Sequence, residues 1–119
     1  MTKDPARIRA VLFDYGGVVA DEGFAAGLRA IARRHGLDPA KVFALGLRLV
    51  YHTGYVTGRA SEHDFWQALR DSTGMTSPDH LLTNMVLDRF SPRPAMLDLA
   101  DRLQRAGLLV AILSDQSDW

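Results

Sequence analysis

RIRAVLFDYGGVVADEG, Arg7 to Gly23, is the stretch whose reading decides the fold. The apolar run Ala10-Val11-Leu12-Phe13 ends on an acid, Asp14, and Gly16 and Gly17 follow at once. A continuous apolar run closed by a glycine turn is the pattern of a buried strand. Such a strand delivers its terminal carboxylate to the C-terminal edge of the sheet, where open parallel α/β sheets place their chemistry. Glycine lets the backbone turn sharply and approach a ligand that a Cβ would obstruct. The first strand is therefore placed at residues 8 to 14, and the turn and exit at 15 to 23.

A second apolar run, Leu108 to Leu113, ends on Ser114-Asp115 and mirrors the first. Between the two runs the apolar spacing changes to three and four, the helical period. Phe24, Leu28 and Ile31 mark one helix, stopped near Gly36. Asp38-Pro39 starts a second, running to about His52 with Val42, Leu45 and Leu49 on one side. YHTGYVTG, Tyr51 to Gly58, reads as a loop. Ser61 caps a third helix, with Asp64 completing an acidic variant of the capping box. Ser77-Pro78-Asp79 opens a fourth. The punctuation at Ser91-Pro92-Arg93-Pro94 marks a module boundary, because neither proline fits a helix interior. A last helix, Ala95 to Ala106, stops at Gly107 and leads straight into the second run. A strand, a helix and a second buried strand imply a parallel pair with a right-handed crossover. The organisation expected is a core strand and turn at 1–21, a helical insert at 22–91, and a core helix and strand at 92–119. Both ends of the insert lie at the strands' C-terminal edge, so it is expected there as a lid.

The chain of 119 residues is long enough for one modest core. Its composition, 47% apolar, is that of a globular protein and not a disordered one. Net charge is zero, which gives no support to nucleic-acid or anionic-membrane binding. There is no cysteine, so disulfides, thiolate metal sites and a cysteine nucleophile are excluded. No apolar stretch approaches the roughly 20 residues of a membrane span. The N-terminus is polar, without the apolar centre of a signal peptide. A cytoplasmic protein is expected.

Asp14 is the candidate nucleophile, since a carboxylate at a strand end can form an acyl phosphate or an ester. Against an anionic substrate it needs a cation. Mg2+ suits an oxygen set made of the Asp14 carboxylate, the Gly16 carbonyl and waters. The Ser114 hydroxyl and the Asp115 N–H can hold a phosphoryl oxygen. The residues alone leave a second reading open for each. Asp14 can be a turn acid bonded to its own loop, and Ser114-Asp115 a simple strand-ending turn. His35, His52, His63 and His80 have no ligand spacing and read as surface or helix-end residues. Arg33 and Arg34 read as a solvated face, Phe65 and Trp66 as core, and Asp21 and Glu22 as helix-start acids.

VLFDYGGVV resembles the first motif of the haloacid dehalogenase-like hydrolase superfamily, and VAILSDQ resembles the second. The helical insert is similar to the cap of the subgroup that carries it just after the first motif. The resemblance implies an α/β fold, a Rossmann-like parallel sheet with a four-helix cap inserted after the first strand. It implies a Mg2+-dependent phosphatase acting on a small phosphorylated metabolite, with Asp14 attacking phosphorus beneath a closing cap. Two departures stand out. The position two after the nucleophile is an acid in most of these phosphatases, and here it is Gly16, which cannot transfer a proton. The third motif, a lysine or arginine, and the fourth, an acidic pair, have no room after Ser114. The chain thus resembles the N-terminal half of such an enzyme. It is expected to be a fragment, or to pair its open sheet edge with another chain. The alternatives are a non-catalytic relative whose cap is an interaction module, and a 2-haloacid dehalogenase.

Overall fold

In the computed structural model, which describes residues 7–115 and 117–119, the chain falls into two compact units. One contains the residues up to Asp21 together with Pro92–Ser114; the other contains Glu22–Ser91 and Asp115–Trp119. The expected polar leader lies mostly outside the described residues, as does Gln116 of the second motif.

The first unit is built on two short strands, β1 (Ala10–Phe13) and β2 (Leu109–Ile112). They pair in parallel, with Ala10 opposite Leu109 and Phe13 opposite Ile112. Helix α5 (Pro94–Arg105) feeds β2 through Gly107, whose φ of 87° is the left-handed conformation that ends a helix cheaply only at glycine. Pro94 stands at the helix's first turn, where a missing N–H costs nothing. The apolar side chains of this unit are thinly covered. Leu12, Leu109 and Ile112 are exposed, and α5 buries no residue fully.

The second unit holds four helices: α1 (Gly23–Arg34), α2 (Pro39–His52), α3 (Glu62–Thr73) and α4 (Asp79–Leu87). Side-chain caps start α1, α2 and α3, while α4 follows Pro78 without one. The Glu22 carboxylate caps α1 by accepting from Phe24 and Ala25 N–H at 2.9 and 2.8 Å. Asp38 does the same for α2, and Ser61 with Asp64 forms a complete capping box on α3. Hydrogen bonding from the Ser61 backbone N–H and hydroxyl holds the Asp64 carboxyl below its usual range. The segment expected as a loop at 51–58 contains the end of α2 and a short 3-10 turn at Tyr55–Thr57 between left-handed Gly54 and Gly58.

The core of this unit centres on Leu28, Ile31, Phe65, Trp66, Leu69 and Leu82, all without solvent exposure. Burying side chains of this size stabilises by about 1.5–3 kcal/mol each. The Trp66 indole N–H reaches Glu62 and Thr83 at 3.1 and 3.0 Å, so its polar edge is satisfied. The segment after β2, expected with the core sheet, clusters with these helices instead. The cause is Trp119, which stacks on Trp66 at 5.6 Å and meets Tyr55 edge-on at 5.4 Å. The Tyr55 hydroxyl also donates to Asp118 at 2.5 Å. Burial, and then this bond, push the Tyr55 phenol well above its usual value. Among the described residues no helix is long and apolar enough to cross a membrane.

Candidate active site

The parallel register sets the site. Phe13 is the last paired residue of β1, and its carbonyl accepts the Leu113 N–H at 2.8 Å. Asp14 follows Phe13, and Ser114 follows Leu113. Both therefore leave the sheet at the same C-terminal edge. Asp14 is exposed, and one of its oxygens, Oδ1, accepts the N–H of Tyr15 at 2.8 Å. The turn-acid reading is thus correct for one oxygen, while Oδ2 makes no hydrogen bond among the described residues.

The turn after Asp14 closes on a single acceptor. The Tyr15 carbonyl takes the N–H groups of Val18, Val19 and Ala20 at 3.1, 3.0 and 3.1 Å. Gly17 N–H donates to the Ala20 carbonyl at 2.7 Å. None of these bonds uses the Gly16 carbonyl. Because the peptide is planar and trans, that carbonyl points opposite to the Gly17 N–H, away from Ala20. Gly17 has φ 79°, which a side chain would resist, so the second glycine is required by backbone conformation.

Arg93 closes the turn from outside. Its Nη1 donates to the Gly17 carbonyl at 2.7 Å and its Nε to Asp21 at 3.0 Å. The Arg93 N–H donates to Val19 at 2.8 Å, and Ala20 bridges Pro92 in antiparallel fashion. Sequence reasoning missed this residue, since Ser91-Pro92-Arg93-Pro94 reads only as punctuation. It also placed Asp21 at the start of the first helix. Glu22 takes that role, and Asp21 pairs with Arg93. Asp115 is exposed and begins the segment that clusters with the helices.

Among the described residues, no group of three or more His, Cys, Asp or Glu side chains is placed to hold a metal ion. The donors at the sheet edge are the Asp14 carboxylate and the Gly16 carbonyl, both hard oxygen ligands. That set fits Mg2+, which keeps several waters and takes one or two carboxylates plus substrate phosphate. It does not fit zinc or copper, which prefer nitrogen and sulfur. All four histidines belong to the helical unit. His35 Nδ1 donates to Ile31 and its Nε2 meets Ser77 at 2.7 Å, while His63 meets Asp79 at 2.7 Å.

No family model matches the sequence, and no curated protein does. Two solved structures of a HAD family enzyme from Bacteroides thetaiotaomicron are similar to the chain. One, in complex with magnesium and inorganic phosphate, has a TM-score of 0.64 at 20% identity and covers 94% of this chain. The other has a TM-score of 0.65 at 22% identity and covers 93%. The chain has the haloacid dehalogenase-like fold. It spans 55% of the length of that enzyme, so the two-stranded sheet is incomplete for the fold.

Proposed function

We propose that the chain is the nucleophile-bearing part of a haloacid dehalogenase-like hydrolase, a Mg2+-dependent phosphatase of a small phosphorylated metabolite. The observation that carries this reading is the β1–β2 register. In this fold it brings an exposed carboxylate, a hydroxyl and a glycine turn to one sheet edge. The magnesium and phosphate in the similar enzyme are the two species this reading requires, which supports it.

Asp14 attacks phosphorus through Oδ2, the oxygen its own loop leaves uncommitted, and the P–O bond to the leaving group breaks. The Ser114 hydroxyl and Asp115 N–H hold a non-bridging oxygen as charge builds there. Gly16 has no side chain, so the proton for the leaving oxygen comes from water or from a group outside this turn. Water then cleaves the acyl phosphate, regenerating the Asp14 carboxylate and releasing inorganic phosphate. When bound to the Asp14 carboxylate and the Gly16 carbonyl, Mg2+ would neutralise phosphoryl charge during attack.

The test is hydrolysis of an aryl phosphate with Mg2+ by the complete gene product, beside the 119-residue chain and Asp14→Asn. Turnover should fall by about a thousandfold or more in Asp14→Asn. Full activity in that variant, or none in the unsubstituted gene product, defeats the proposal. A second reading is an interaction module formed by the helical unit. The concentration of fully buried large side chains in that unit favours it. It gains if the gene product is inactive and Asp14→Asn leaves every binding property unchanged.

A further inference from the structure

Two consecutive glycines give the Asp14 turn the least restrained backbone a chain can have, yet the proposed chemistry needs the Gly16 carbonyl and the Asp14 carboxylate held still. The turn's own bonds hold the two peptides flanking Gly17 by their N–H groups alone, the Val18 N–H donating to the Tyr15 carbonyl at 3.1 Å. The Gly17 N–H is tied to Ala20 at 2.7 Å, which orients the Gly16–Gly17 peptide. The next peptide, carrying the Gly17 carbonyl, is gripped by Arg93 Nη1 at 2.7 Å. The arginine is itself fixed. Its N–H is bonded to Val19, prolines flank it, and its Nε is paired with Asp21. The planar fork can serve the carbonyl and the carboxylate together, which the point charge of a lysine cannot.

We propose that Arg93 is a positioning residue for the candidate nucleophile turn. By holding the Gly17 carbonyl and Asp21 at once, it fixes the backbone that carries Asp14 and the Gly16 carbonyl. The proposal rests on the reading of Asp14 as the nucleophile. Arg93 and Asp21 are exposed, so their ion pair adds little to global stability. Local order of the turn and global stability should therefore separate.

The experiment measures amide hydrogen exchange and Mn2+-induced line broadening on the 119-residue chain. Arg93→Ala and Arg93→Lys should speed exchange at Gly17 by about tenfold, leaving Trp66 and Leu69 unchanged. Asp21→Asn, which keeps the bond to the Gly17 carbonyl, should have a smaller effect. The Mn2+ concentration that half-broadens the Gly16 and Gly17 amides should rise by about tenfold in Arg93→Lys. In the complete gene product the same variant should lower kcat with KM unchanged. Should Arg93→Ala fail to fold, Arg93→Lys and Asp21→Asn carry the test. Unchanged exchange at Gly17 overturns the proposal. Faster exchange with an unchanged Mn2+ midpoint reduces Arg93 to a structural tie and overturns it too. If the parent chain shows no Mn2+ broadening that Asp14→Asn removes, the reading of Asp14 fails. Exchange alone then judges the hold on Gly17.

Discussion

Asp14, Gly16 and Gly17 were legible because their signal is local: an apolar run, an acid and a turn stand next to one another in sequence. Arg93 and Trp119 were not, because each acts on residues far away in the chain. Arg93 reaches back to Gly17, and Trp119 to Trp66. The same holds for Asp79. The sequence marks it as a helix-start acid, and the structure joins it to His63 at 2.7 Å and Arg70 at 2.6 Å. Its partial burial alone would raise its pKa, but the bonds from His63 and Arg70 outweigh that and hold the carboxyl below its usual 3.8. A carboxyl depressed in the folded state stabilises above its unfolded pKa, and that contribution is lost as pH falls through the folded one. The thermal midpoint should therefore drop as pH falls below 3.8, and Asp79→Asn should flatten that drop. An equal acid slope in the variant, followed by circular dichroism from pH 5 downwards, would remove Asp79 from the account.

The helices were legible as elements because period and caps agree. Ser61-Asp64, Asp38-Pro39 and Ser77-Pro78-Asp79 each mark a start that the structure keeps to within about a residue. What patterning cannot reveal is how closely two helices approach. An added Cβ on Gly27 of α1 would lie 2.7 Å from the Val86 Cα of α4, a backbone atom that cannot move aside. On Gly46 of α2 it would meet the end of the Leu28 side chain at 2.5 Å, which has rotamers to use. Overpacking costs about 1–3 kcal/mol, and alanine returns about 1 through helix propensity. Gly27→Ala should thus lower the unfolding free energy by about 1–2 kcal/mol, and Gly46→Ala by less, in urea titrations. Equal or reversed effects would contradict the close approach of α1 and α4.

At the scale of the whole molecule, the two units differ in how well each covers its apolar surface. The helical unit buries Trp66, Phe65 and Leu28 completely, while Leu12, Leu109, Ile112 and Leu113 of the sheet unit stay in solvent. An unpaired strand edge with apolar neighbours invites association. The apparent molar mass of the 119-residue chain by light scattering should rise with concentration, and Leu109→Lys should reduce that rise. A monodisperse monomer at all concentrations would count against the open edge. The account depends above all on Asp14 becoming covalently bound to phosphorus. Hydroxylamine converts an aspartyl phosphate to a hydroxamate, so the most direct measurement is peptide mass spectrometry of the gene product quenched with hydroxylamine during turnover of an aryl phosphate. The account predicts a hydroxamate at Asp14 that appears only with substrate. Turnover with the hydroxamate on another residue, or with none at all, would contradict it.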